Sequence, residues 1–303
     1  EELKKLMPVV EGQVVLAIPG MDTLNHKLSL PLLTQRNGKD IFPPSYSLLN
    51  ETQMSIFFKD PPKYEYFIAK NFKHSQKGLL LLKGAKEVQD FAITNTEYIL
   101  LQPLMTPYML RDSLGRYASL RVYVVVTCDG WHHMRVLYHP WMRVKFSRPN
   151  TDVNSPTVED IATSSNNDEG GIKEELVGFC ERTSLCDPQI VTSLIENLFL
   201  ELFDFLGMDL CSDISTENSG RMGQMFGADI LVEKNFKKAW LLEMNKAPNM
   251  QIENPNAPPT LKQMVVSATY RTFGLPCLRD DGHPYHHLRL LKTYKRGEER
   301  DEV

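Results

Sequence analysis

The most informative pattern of apolar and polar residues lies late in the chain. Phe226 to Val232 and Ala239 to Met244 are short apolar runs around a polar turn carrying Lys234 and Asn235. Runs of this length around such a turn predict a β-hairpin. With the turn centred on Phe236, facing residue numbers share one sum, which sets Asp229 opposite Glu243. Strand side chains alternate between faces, so Asn245 shares the face of Glu243 and Asp229. Two carboxylates and an amide oxygen converge there. Facing like charges repel in a sheet, whereas hard oxygens on one face suit magnesium carrying a nucleotide phosphate. The same spacing also fits the wet face of an ordinary hairpin.

Other stretches yield further elements. Val14 to Ile18 reads as a strand ended by Pro19 and Gly20, and Lys27 to Leu33 as helical. Tyr66 to Lys70 reads as a strand ending on a lysine, followed by a polar loop, Asn71 to Gly78, and the apolar run Leu79 to Leu82. Glu97 to Gln102 reads as a buried strand before a hinge at Pro103, Leu104 and Met105, and Gly115 to Thr127 as a loop entering a β-prone strand. Tyr138 to Phe146 is a strand within the locally basic stretch Trp131 to Arg148. Asp187 to Leu206 is a helix with Asp187 as N-cap, Pro188 in first position and a wide apolar face, and Thr260 to Arg271 is a second helix. Asn150 to Gly171 has loop composition. The tail with His286, His287, Arg289, Lys292, Lys295 and Arg296 reads as a solvated, frayed terminus, or as a contact for an acidic partner.

Strand, polar loop, strand is a layout that covers phosphates. Lys70 can pair with them as a point charge while Lys77 and Gly78 close over them, although a lysine at a strand end is commonly a solvated edge residue. Arg121 and Arg143 each sit on a strand, as anion contacts or as solvated edge charges. His132 and His133 point to opposite faces of a continuing strand, so a shared metal is not expected.

With 303 residues, 42% hydrophobic and 24% charged, the chain has material for two or three small lobes. No apolar run approaches the roughly 18 to 20 residues of a membrane helix, and a formal charge of −4 gives no direct nucleic-acid signal. Five cysteines, odd in number and irregularly spaced, suit a reducing compartment better than a disulfide framework, with Cys180 and Cys186 structural rather than zinc ligands. A soluble, intracellular chain is expected. Residue 1 is Glu rather than Met, which leaves a removed organellar targeting peptide open.

The hairpin, with Phe226, Gly227 and Asp229 followed by Leu241, Leu242, Glu243, Asn245 and Pro248, resembles the F-G-x-D and L-L-E-x-N-x-x-P of the tubulin tyrosine ligase-like family, within the ATP-grasp superfamily. Ile41 to Leu48 resembles the family's F-P-x-T-Y-x-L, Lys70 its W-I-V-K-P strand, and Lys77, Gly78 and Leu79 its G-K-G-I loop. Gln102, Pro107, Met109 and Leu110 echo its Q-x-Y-I and P-L-L. Gly115 to Val124 is similar to G-R-K-F-D-L-R-x-Y-V, and Tyr138 to Phe146 to Y-x-x-G-x-x-R-F-A, with Arg143 as its arginine. Four positions depart: Gln76 replaces a loop glycine, Tyr117 a lysine, Ser119 an aspartate expected near the ribose, and Ser164 lies in the place of H-L-T-N, which keeps only Thr163.

The resemblance implies an α+β ATP-grasp fold, two α/β lobes clasping a nucleotide, with a short amino-terminal region at 1–42, a central lobe at 43–102, a carboxy-terminal lobe at 103–280 and a charged tail at 281–303. It implies an ATP-dependent carboxylate-amine ligase that adds an amino acid to a protein tail through an acyl-phosphate. ATP and Mg2+ would be the cofactors. Arg143, Arg121 and Glu243 would be catalytic. Lys70, Lys77, Gly78, Gln102, Leu104, Ser119 and Thr163 would hold the nucleotide, and Asp229, Glu243 and Asn245 the metal. Tubulin or another acidic-tailed protein would be the partner, without a membrane, in cytoplasm, cytoskeleton or cilium. The alternative is a degenerate pseudo-enzyme of the same ancestry, a scaffold within a larger assembly, to which Tyr117, Ser119, Gln76 and Ser164 point.

Overall fold

The short apolar runs pair into two sheets. The structure, a computed structural model, describes residues 9–72, 78–105, 109–112, 115–147, 174–214, 217, 220–246, 248, 261–275 and 287–296. In chain order the strands are β1 (Val14–Val15), β2 (Tyr46–Ser47), β3 (Tyr66–Lys70), β4 (Leu79–Lys83), β5 (Leu100–Pro103) and β6 (Ala118–Asp129). They continue with β7 (His133–Tyr138), β8 (Arg143–Phe146), β9 (Glu174–Glu175), β10 (Arg221–Val232), β11 (Ala239–Lys246) and β12 (Arg289–Lys295). The smaller sheet runs β2, β5, β3, β4 and is antiparallel. In the larger sheet β6 and β10 form the central pair. β11 and β1 lie on the outer side of β10, β8 and β7 on the outer side of β6, and β12 and β9 extend these.

The core lies on one face of the larger sheet. Val122, Val124, Phe226, Ala228, Ile230 and Leu241 meet Ile195, Phe199, Leu202 and Phe203 of the helix Pro188–Leu206. Burying each large side chain contributes about 1.5 to 3 kcal/mol, so this face fixes how β6, β10 and β11 lie. The helix starts as its sequence requires: the Asp187 carboxylate accepts from the Gln189 N–H at 2.7 Å, Pro188 follows, and Gly207 at φ 54° ends it. The smaller sheet has its own core, with Phe57, Phe67, Leu82, Val88 and Leu101 beneath the helices Glu51–Lys59 and Gly84–Thr94.

Several sequence expectations need correction. The first strand is only Val14–Val15, and the first long helix is Ser29–Arg36. The strand read over Tyr138 to Phe146 is two strands. The ladder ends with the His139 N–H on the Tyr123 carbonyl at 2.9 Å, and Pro140 has no N–H to continue it. The tail is not simply frayed, because Arg289–Lys295 pairs antiparallel with β7. Cysteine pairing also differs from the expected free thiols. Cys128 is bonded to Cys211 and Cys180 to Cys186, and the first pair is 83 residues apart, a distance across which spacing carries no signal. Such bonds persist in oxidising surroundings. Among the described residues no helix is long and apolar enough to cross a membrane.

Candidate active site

The hairpin brings Asp229 opposite Glu243 and Gly227 opposite Asn245, as the sequence predicts. The route differs. From the turn to Ile230 and Leu241 the pairing follows a register one residue tighter than a turn centred on Phe236, and a bulge at Leu242 restores the predicted pairing. Phe236 takes a left-handed φ of 54° in that turn.

Cross-strand register carries the polar face over four strands. Lys145 on β8 lies opposite Ser119 on β6, Arg143 opposite Arg121, Arg121 opposite Asp229 on β10, and Asp229 opposite Glu243 on β11. Facing residues point the same way, so these side chains share one face, opposite the core. Arg121 donates from Nε to Asp229 Oδ1 and from Nη2 to Oδ2, both at 2.8 Å. Lys145 Nζ meets Oδ1 at 2.5 Å. Asn245 Nδ2 donates to Glu243 Oε1 at 2.9 Å and to Asp229 Oδ2 at 3.3 Å. With side chains 15% (Arg121), 10% (Asp229) and 6% (Lys145) exposed, this is a buried ionic cluster rather than a surface pair. Gly227 makes room for it: a Cβ there would stand 2.8 Å from Arg121 Nη1 and 3.0 Å from Pro248 Cβ.

Charge follows geometry. Burial alone would raise the Asp229 carboxyl, but Lys145 and Arg121 outweigh it and hold it down at about 2. Burial pulls the Lys145 ammonium down against the opposing pull of Asp229. Lys70, half-buried at the end of β3, faces the same carboxylates from the smaller sheet. Burial lowers it to about 8, with Glu243 and Asp229 opposing and Lys27 reinforcing.

Toward the turn the same face becomes apolar. Leu231, Trp240 and Leu242 pack with Met105, Met109 and Tyr64. Beside them lies a cavity of about 500 Å3 lined by Lys63, Tyr64, Met105, Glu233, Asn235 and Trp240, among others. Leu104 is buried against Tyr66 and near Ile68. The Gln102 side chain donates to Ser45 Oγ at 2.8 Å, bracing the segment after Pro43. The Gly78 carbonyl accepts from the Asn71 N–H at 2.9 Å, closing the loop between β3 and β4. Tyr117 is buried, its hydroxyl accepting from Arg111 Nη2 at 3.0 Å. Lys77 and Thr163 lie outside the described residues.

Sequence reading missed Lys145, counted only among the basic residues of its stretch. Its presence bears on the expected metal. Both Asp229 oxygens are engaged by cationic donors, and Asn245 turns its NH2, not its oxygen, to the two carboxylates. As a set the three expected ligands do not fit a metal in this arrangement; of their side-chain oxygens, Glu243 Oε2 and Asn245 Oδ1 take no hydrogen bond among the described residues.

An α+β architecture with two sheets, a large sheet presenting one ionic face and a smaller sheet bringing a lysine to it, is that of an ATP-grasp-like fold. The model of the tubulin-tyrosine ligase family matches residues 12–278, and the chain belongs to that family. No curated protein matches it significantly. Family membership suggests an ATP-dependent ligase-type function; the family generally uses ATP and Mg2+ and acts on tubulin or other protein substrates.

Proposed function

We propose that the chain joins an amino acid to a carboxylate on an acidic protein tail, tubulin or another, at the expense of ATP. The observation that supports this most is the continuity of one sheet face, apolar at Leu231, Trp240 and Leu242 and ionic from Asp229 and Glu243 to Arg121 and Arg143. Such a face suits a molecule with a flat base at one end and a row of phosphates at the other. In this reading Met105, Leu104 and Leu242 hold the base, Lys70 and Arg121 the phosphates, and Arg143 steadies the acyl-phosphate. A carboxylate oxygen of the tail bonds to the γ-phosphorus as the bond to ADP breaks. The amine nitrogen then bonds to the acyl carbon as phosphate leaves, giving the amide. The protein's share is positioning and fixed positive charge where negative charge gathers. Glu243 is the carboxylate left for the family's magnesium. Arg135 on β7 and Lys295 on neighbouring β12 would attract an acidic tail in a salt-sensitive way.

The rival reading, a scaffold of the same ancestry without turnover, draws on the cations that already cover Asp229. ADP release in the presence of ATP, an amino acid mixture and a tubulin-tail peptide separates the two. Release that depends on the peptide and falls about a hundredfold in Arg143→Ala upholds the ligase. ATP binding without release under any acceptor favours the scaffold, and no calorimetric binding at millimolar ATP removes the ligase reading.

A further inference from the structure

Register pairs Ser119 directly with Lys145 across β6 and β8. Lys145 Nζ rests on Asp229 Oδ1 at 2.5 Å, with its side chain 6% exposed. One strand, β6, separates β8 from the Asp229 strand β10, so the lysine reaches diagonally past Ser119 and Arg121, and a small residue at 119 leaves its path open. Arg121 holds both oxygens of the same carboxylate from the other direction.

We infer that Lys145 is the resident cation of Asp229, a covalently attached ammonium that occupies this carboxylate and excludes a divalent ion from it. An ammonium at this distance satisfies one carboxylate oxygen with a charge-assisted hydrogen bond. A divalent ion on Oδ1 would meet the lysine at less than van der Waals separation and carry like charge. Asn245 follows suit, since with ammonium on one side and carboxylates on the other its NH2 faces the anions. The inference concerns Asp229 alone and holds whether or not the chain turns over ATP.

Manganese(II) binding without nucleotide, read by electron paramagnetic resonance on the full chain, tests it. Wild-type protein and Asp229→Asn should bind the ion equally. Lys145→Ala and the isosteric Lys145→Met should bind it at least about tenfold more tightly, a gain of about 1.4 kcal/mol, and adding Asp229→Asn should abolish the gain. Should both lysine variants lose their fold by circular dichroism, the wild-type comparison decides. Wild-type manganese affinity that Asp229→Asn lowers tenfold overturns the inference, as does a folded lysine variant with no gain.

Discussion

Replacing Asp229 by Asn removes the one negative charge on which two buried cations rest. At an effective dielectric of about 20, each contact at the observed 2.5 and 2.8 Å has a gross attraction of roughly 6 kcal/mol, most of it offset by the cost of taking three charged groups from water. The net attraction is small while the cluster is complete and large once it is broken. Removing one partner of a buried pair costs about 3 to 5 kcal/mol, because an uncompensated charge is left behind. Two stranded cations place Asp229→Asn toward the upper end of that range, moderated by the amide oxygen, which still accepts one hydrogen bond. Urea unfolding followed by circular dichroism at neutral pH is the assay, with Lys145→Met added to complete a double-mutant cycle. The double variant should recover part of the loss, since one of the stranded charges is gone. The acid limb supplies a second reading. With Asp229 held at about 2 against an ordinary value of 3.8, its contribution is fully present above pH 4, roughly, and is lost as pH falls toward 2; in the Asn variant this limb should flatten. A change of less than about 1 kcal/mol in Asp229→Asn would refute the reasoning, because the cluster would then behave as an exposed pair.

Lys70 gives a prediction of opposite sign. Its ammonium, lowered to about 8, is charged below that pH and neutral above, so its attraction for phosphate is present below about 8 and lost as pH rises through it. ATP affinity by calorimetry should fall across that range and the fall should vanish in Lys70→Gln, while stability should rise between about pH 8 and 10.5 because the unfolded lysine still binds its proton. Gly227→Ala should loosen the ionic cluster by pressing a methyl group against Arg121 Nη1 at 2.8 Å, costing about 2 kcal/mol in a urea melt, whereas Arg121→Lys in the same background should relieve the clash; equal stability of Gly227→Ala and wild type would refute the close approach.

The elements that position the site were legible because their signals are local. A capped apolar helix at 188–206, the lysine-ended strand at 66–70 and the two arms of the hairpin can each be read from one unbroken stretch of the chain. What escaped reading depends on partners distant in sequence. Lys145 looks like any solvated strand lysine until β6 is laid between it and Asp229, 84 residues on. Cys128 meets Cys211 only because the turn after the long helix returns to the end of β6. Arg289–Lys295 reads as a solvated tail because its stabilisation comes from β7, not from its own pattern. The break at Pro140 was visible, since a residue without an N–H cannot continue a ladder.

The single extra residue at Leu242 has a consequence for how two chemistries share one strand. In regular β-structure every second side chain belongs to the core, so neighbours along the cleft are two residues apart. Leu242 resets the phase: Leu241 enters the core, while Leu242 joins the apolar cluster and its immediate neighbour Glu243 the carboxylates. The greasy and charged ends of the cleft thus abut with no spacer between them. A chain lacking Leu242 could keep Asp229 opposite Glu243, with Trp240 and Glu243 as successive residues on that side, and the boundary would become a gap rather than a seam.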